Sequence, residues 1–438
     1  MERTILKNLH GWQNSKYRRP LFLQGVSRSG KTWVLKEFGK RCYKNTVYIS
    51  FRDHEEYRQF FAAPEVFDAN RILQNLMLSA GQRIVPEKTL LILDDIQDCP
   101  QAADALEVFY EQAPQFHIAC AGTPLRRTLP IGKINVMELG PMTFTEVLKA
   151  DGSEELAEYI ENVDSLLPVH ELWFQLLTEK LKIYFVTGGM PEAVYTWIKK
   201  RDVDALQGIL SQIAGIYEHE FAAYTEQKTF PKALNIWRSI PLQLARENKK
   251  FFYRLVKEGA RAREYEEALN WLSDTRYIRK LYRSHVPGVP LSAFDDMSSF
   301  RVYLPDVGIL RRMSQIPPSA FKEGTRLFTE GNGALAENYI LSSLSEQFNS
   351  TPRYWSKNNP FHEVDFILQR REDIIPAEVN AAARREGLGM KRYEEEFGEK
   401  LKLHIHFSME NLKFEGKTLN IPLFLADSAE KLIDVVLS

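Results

Sequence analysis

Cysteine is scarce: Cys42, Cys99 and Cys120 are the only three in 438 residues. They are odd in number and lack C-x-x-C spacing, which argues against a disulfide framework and makes a reducing, cytoplasmic setting the simplest one. Long apolar runs are missing as well, and none approaches the ~20 residues of a membrane span. The first twenty residues carry charges inside their apolar stretch and show no small-residue cleavage site, so no secretory signal is expected. Net charge is almost absent at -1. The chain is therefore not basic throughout, and any nucleic-acid surface has to be local. At roughly 100–200 residues per domain, the length implies two to four domains.

What is present begins near the front. In "RRPLFLQGVSRSGKTWVLKEFGKR", the short apolar run Leu21–Leu23 precedes Gly25-x-x-x-x-Gly30-Lys31-Thr32. An amphipathic helical pattern of Trp33, Val34, Leu35 and Phe38 follows. Strand, glycine loop and helix in that order form the context of a P-loop, in which Gly25, Val26, Ser27, Arg28, Ser29, Gly30, Lys31 and Thr32 would cradle a triphosphate. Lys31 would bridge the β- and γ-phosphates, and the Thr32 hydroxyl would join an Mg²⁺ shell. Further on, "KTLLILDDIQDCP" is an unbroken apolar run ending in Asp94-Asp95. Fully buried parallel strands have this pattern, with site residues at their carboxyl ends. Asp94 would hold Mg²⁺ and Asp95 would orient the attacking water; a cap for the helix near Gln101 is the plainer alternative for one carboxylate. "NTVYISF" and "FHIACAG" supply further strands. Thr123 follows the second as a candidate γ-phosphate sensor, and Arg126 and Arg127 are either phosphate-reaching arginines or plain surface.

"GVSRSGKTWVLKEFGK", "LLILDDIQ", "MELGPMTFTEVL", "YFVTGGMPEAV", "RYWSKNNPFHEVDFIL" and "LNIPLFLADS" together resemble a group of prokaryotic AAA+-type ATP-binding proteins with a C-terminal domain of unknown function. The resemblance covers nearly the whole chain. It implies an α/β fold: an AAA+-like P-loop NTPase core with a parallel sheet (1–145), a helical lid (146–205), a winged-helix-like basic middle (206–315) and a restriction-endonuclease-like α/β region (316–438). Two departures stand out. Asp95 occupies a position where glutamate is usual, which implies slow hydrolysis, and "EVN" stands where "EVK" is usual.

In the middle, Thr143 and Glu146 have capping-box spacing, and Pro191 suits a first helical turn. "DGSEELAEYIENVDSLLP" suggests a loop-rich insertion. Gly188-Gly189 suggests a lid hinge or a plain helix–helix turn. Residues 228–312 hold 17 Lys and Arg against 9 Asp and Glu. Helices followed by the hairpin-like "YIRKLYRSHVPGVPLS" describe a winged helix whose Lys249, Lys250, Arg261, Arg263, Arg279 and Lys280 would meet DNA phosphates. A solvated or inter-domain face is the alternative. Trp237 and Trp271 suggest core.

In "HEVDFILQRREDIIPAEVNA", Glu363 and Asp365 share one strand face, as do Glu378 and Asn380. The resemblance implies that Glu337, Asp365 and Glu378 converge on a metal. Neutral Asn380 cannot supply the charge of the usual lysine, so the nuclease site is expected to be degenerate unless Lys357 or Lys391 reaches in. His404 and His406 suggest ordinary strand histidines. The overall expectation is a slow, Mg²⁺-dependent, ATP-binding ATPase. Its nucleotide state would govern how the C-terminal regions meet DNA or a protein partner, and an oligomer is left open. An ATP-gated, metal-dependent nuclease and a nucleotide-sensing scaffold are the rival readings.

Overall fold

The structure, a computed structural model, describes residues 1–62, 68–123, 132–322, 333–357, 361–380 and 387–437. Two compact units emerge. One comprises Met1–Pro141 with Trp271–Tyr277, the other Met142–Asn270 with Ile278–Ser438.

The first unit alternates helix and strand: α1 (Ile5–Gln13), β1 (Leu21–Gln24), α2 (Lys31–Cys42), β2 (Asn45–Ser50), α3 (Ala69–Ala80), β3 (Thr89–Asp94), α4 (Pro100–Gln112), β4 (His117–Gly122) and β5 (Asn135–Glu138). The strands form a five-stranded sheet in the order β2-β3-β4-β1-β5, and every neighbouring pair is parallel. The two-residue period of a strand explains how it is covered. Leu21, Leu23, Leu90, Ile92, Ala119 and Ala121 join the cluster that includes Leu9 of α1 and Val34, Leu35 and Phe38 of α2. The alternate residues Phe22, Leu91, Leu93, Ile118 and Cys120 pack with α3 and α4. Because both faces are covered, β3 and β4 are buried at every position. The order also places β4 between the glycine-loop strand and the acidic strand, so the carboxyl ends of β1, β4 and β3 lie side by side.

The second unit opens with α5 (Phe144–Ala150), α6 (Glu154–Asn162), α7 (Glu171–Thr187), α8 (Pro191–Lys200), α9 (Val203–Tyr224), α10 (Phe230–Leu244), α11 (Tyr253–Val256) and the part of α12 (Ala262–Asp274) up to Asn270. Thr143 and Glu146 make the expected reciprocal capping box, and Pro191 opens α8. The stretch expected to be loop-rich instead contains α6, whose Leu156, Ala157 and Ile160 are buried despite its acidic composition. Next come β6 (Arg279–Ser284), β7 (Asp295–Tyr303), α13 (Val307–Met313), α14 (Ala334–Gln347), β8 (Arg353–Lys357), β9 (His362–Arg370), β10 (Asp373–Asn380), α15 (Leu388–Phe397), β11 (His404–Ser408), β12 (Lys413–Glu415), β13 (Thr418–Pro422) and α16 (Ala429–Leu437).

The hairpin β6–β7 forms as expected, but it does not stand apart as a wing. It extends an eight-stranded mixed sheet, order β12-β13-β11-β10-β9-β8-β6-β7, through the parallel pairing of β6 with β8 at Arg283 and Tyr354. Apart from Trp271–Tyr277, which fall in the first unit, the second unit holds the chain from Met142 onward. Gly188-Gly189 lies inside it. Gly188 ends α7 at φ 66°, and a Cβ there would sit 2.2 Å from Asp306 Oδ1. Gly189 N donates to Asp306 Oδ2 at 2.7 Å. Trp237 is buried in the second unit, and Trp271 is buried in the first.

Candidate functional site

Residues 25–30 leave β1 and curl into the first turn of α2. Gly25 is needed for close approach, since a Cβ would lie 2.2 Å from the Leu139 carbonyl oxygen. Gly30, capping α2, has φ 96°, and Arg28 also adopts a left-handed conformation at φ 65°. The curl is anchored by Arg3, whose guanidinium donates to the Ser29 carbonyl at 2.9 Å and to the Gly140 carbonyl at 2.8 Å. Lys31 is buried, and its ammonium group donates to the carbonyls of Gly25 at 2.9 Å and Val26 at 3.0 Å. Ser29 Oγ is fully buried without a hydrogen-bond partner. A buried hydroxyl left unmatched is rare and calls for a ligand or water.

Across the sheet edge, Thr32 Oγ1 donates to Asp94 Oδ2 at 2.6 Å. Asp94 Oδ2 also accepts from Tyr48 OH at 3.1 Å, and Asp94 Oδ1 from Asp95 N at 2.9 Å. Asp95 turns sharply out of β3 at φ 54°. Its carboxylate accepts from Ser50 Oγ at 3.3 Å and Gln97 Nε2 at 3.1 Å, and pairs with Arg52 at 3.2 Å. Burial, and then the neighbouring Asp94 charge, push Asp95 above the ordinary carboxylate range, with Arg52 opposing. Gln97 also ties in Thr123, whose N–H donates to its Oε1 at 3.3 Å. The helix near Gln101, α4, begins at Pro100 with Cys99 at its cap, so neither aspartate caps it. Tyr48 and Ser50 were missed in the sequence. Their two-residue spacing on β2 was the available signal, but recognising it required knowing that β2 lies beside β3. Arg126 and Arg127 lie outside the described residues.

This donor set fits a triphosphate with Mg²⁺. Ser29 Oγ and the Lys31 ammonium are donors suited to phosphate oxygens, and Thr32 with Asp94 offers the one or two protein oxygens that Mg²⁺ usually takes from such sites.

The C-terminal acids also meet, but around cations. Arg301 of β7 is 1% exposed. It pairs through Nη2 with Glu363, while its Nη1 lies 3.5 Å from Asp365 and 3.8 Å from Glu337. Its guanidinium stacks on Tyr354 at 4.3 Å. Glu337 also pairs with Lys249 and accepts from Tyr303 OH at 3.0 Å. Lys249, expected to face DNA, is only 5% exposed. Arg279, expected beside it, is largely covered and lies 4.0 Å from Glu346, while Lys280 donates to Asn270 at 2.6 Å.

Burial raises Glu363 to about 7 and Glu378 to about 8, with Asp365 adding to the second shift. Asp365 Oδ2 is taken by Val379 N at 3.0 Å, and Glu378 Oε1 by Met390 N at 2.9 Å. Lys357 is engaged elsewhere, with Glu396 at 2.7 Å. A divalent ion does not fit here. Arg301 and Lys249 already lie among Glu337, Glu363 and Asp365, and no group of three metal-binding side chains occurs among the described residues. His404, near His406, instead lies 2.9 Å from Glu394.

Glycine loop, buried lysine and strand-end acids on a parallel sheet define a P-loop domain, and a family model described as AAA domain matches residues 17–148. Two models described as domains of unknown function, DUF8612 and DUF4143, match residues 178–320 and 332–424. Among solved structures, the Walker-type ATPase PABY2304 of Pyrococcus abyssi aligns at 13% identity and TM-score 0.44, over 71% of this chain and 95% of that one. ORC1 of Aeropyrum pernix, solved with DNA, aligns at 12% identity and TM-score 0.27, over 72% and 91%. AMPPCP-bound DnaA of Aquifex aeolicus aligns at 17% identity and TM-score 0.21, over 62% and 86%. These scores are too low to carry a functional assignment. No protein of curated function matches the chain. Residues 17–148 thus carry a P-loop arrangement that matches an AAA-domain model. No helix among the described residues is long and apolar enough to cross a membrane.

Proposed function

We propose that the protein is an ATP-binding, Mg²⁺-dependent ATPase of slow turnover, whose nucleotide state governs how the second unit engages DNA or a protein partner. One observation carries the reading: a buried ammonium group turned onto its own loop carbonyls, beside the Thr32–Asp94 hydroxyl–carboxylate pair at 2.6 Å. In this reading Lys31 exchanges two carbonyl oxygens for phosphate oxygens, and the loop amides orient the triphosphate. Mg²⁺, held by Thr32 and Asp94, would neutralise charge building on the phosphate oxygens. Asp95 would orient water, and Thr123, linked to Asp95 through Gln97, would sense the terminal phosphate.

The contacts of Asp95 with Arg52, Gln97 and Ser50 favour a second reading in which ATP is held and hardly cleaved. Being one methylene shorter than glutamate, Asp95 would have to leave these partners to approach a water. A phosphate-release assay with and without DNA separates the two. Release above that of an Asp94→Ala control supports the ATPase; release equal to the control, alongside tight ATP binding, leaves the sensor. The acid cluster around Arg301 supports neither metal binding nor nucleic-acid cleavage.

A further inference from the structure

Charge in the second unit is concentrated just before α12. Between Arg246 and Arg263 lie Arg246, Lys250, Arg254, Lys257, Arg261 and Arg263, against Glu247 and Glu258. Lys249 is withdrawn into its pair with Glu337. Of the remaining six, Arg254, Lys257, Arg261 and Arg263 are exposed, and Arg246 and Lys250 are half-buried. None of them makes an ion pair among the described residues. Six cations, four of them exposed and none in an ion pair among the described residues, make a local basic patch able to accept an external polyanion.

Their mounting is rigid. Phe252 exchanges two hydrogen bonds with the buried side chain of Gln243 on α10, at 2.9 Å and 3.0 Å. Next to it, Phe251 N donates to the Phe300 carbonyl at 2.8 Å, and the two rings stack at 5.4 Å. The Phe252 ring then carries two guanidiniums, Arg246 at 5.3 Å and Arg254 at 5.4 Å. An arginine stacked on an aromatic ring keeps its N–H edge free for phosphate, and little freedom remains to be lost on binding. With two arginines engaging it, Phe252 has little ring face to offer a base. The chemistry therefore suits backbone phosphates without base reading.

We propose that the segment from Arg246 to Arg263 is a sequence-independent docking surface for the phosphate backbone of duplex DNA, with the Arg246–Phe252–Arg254 stack at its centre. This rests on the DNA-coupling part of the reading above and not on the nucleotide site.

The test is fluorescence anisotropy of a labelled random duplex of about 30 base pairs, titrated with the full-length protein across 50–200 mM salt. With about six phosphates contacted, one per cation, log affinity should fall with log salt at a slope of about -5.4. In Arg246→Gln/Arg254→Gln/Lys257→Gln the slope should shrink by about 2.7 and affinity fall about 10–100-fold, with the melting temperature unchanged. Lys250→Gln/Arg261→Gln/Arg263→Gln should behave alike. Lys31→Ala should keep the wild-type slope in the absence of ATP, so failure of the nucleotide reading and failure of this one give different results. No duplex binding at 50 mM salt, an unchanged slope in both triple variants, or displacement by polyglutamate as effective as by unlabelled duplex would overturn it.

Discussion

Replacing Lys249 with Met removes the cation from a pair in which the lysine is 5% exposed and Glu337 is 2% exposed. Glu337 then keeps Tyr303 OH at 3.0 Å and Arg301 at 3.8 Å, but loses its nearest positive charge. Breaking one side of a buried pair typically costs about 3–5 kcal/mol, because a carboxylate is left in a poorly solvated site. At about 2–3 °C per kcal/mol for a unit of this size, the melting temperature should drop by roughly 6–15 °C. The double variant Lys249→Met/Glu337→Gln removes both charges together and should recover most of that loss, with a coupling energy of about 2 kcal/mol or more. Urea denaturation followed by circular dichroism measures all four corners of the cycle. A single-variant loss under about 1 kcal/mol, or a double variant no better than Lys249→Met, would refute the buried ion network.

Three further outcomes follow from the geometry. Asp95→Asn should lower phosphate release at least a hundredfold, a few kcal/mol at the barrier, and leave ATP affinity within about threefold. In the wild type, release should decline as pH falls through the raised pKa of Asp95, so its acid limb should lie above the ordinary carboxylate range. Glu378 is raised to about 8 in the folded state, so that state binds more protons and stability should fall as pH climbs from about 4.5 to 8. Glu378→Gln should flatten that slope and stabilise the protein above pH 8, on the order of 4 kcal/mol, with little change at pH 5. Titrating Mn²⁺ into an Asp94→Ala variant without nucleotide should show no binding by electron paramagnetic resonance, and plasmid DNA with Mg²⁺ or Mn²⁺ should stay intact. DNA cleavage that disappears in Asp365→Ala would count against the cation-filled cluster.

The glycine curl and the acidic strand end were legible because their parts are contiguous. Gly25 to Thr32 encode a backbone curl and its charged end in one octapeptide, and Leu90–Asp95 combines an unbroken apolar run with two carboxylates. The acid cluster was half legible. Two-residue spacing put Glu363 and Asp365 on one face, and both meet Arg301, but Arg301 lies 62 residues from Glu363 and Lys249 lies 88 from Glu337. Local charge counting treats every lysine as solvated, so it assigned Lys249 to DNA. The hairpin β6–β7 was readable from its own residues, whereas its docking through Arg283 and Tyr354 is a non-local pairing with no local pattern. In α6 the acidic residues obscured the helical spacing of Leu156, Ala157 and Ile160. Arg246, Arg254 and Lys257 were passed over because the Phe252 stack that groups the two arginines exists only in three dimensions.

Titration calorimetry of ATP with Mg²⁺ into wild type and Lys31→Ala tests most directly whether the front loop grips a triphosphate. Wild type should bind one ATP per chain saturably, with affinity falling when Mg²⁺ is chelated, and Lys31→Ala should show no measurable heat. Equal affinity in the two proteins, or no binding by wild type, would contradict it.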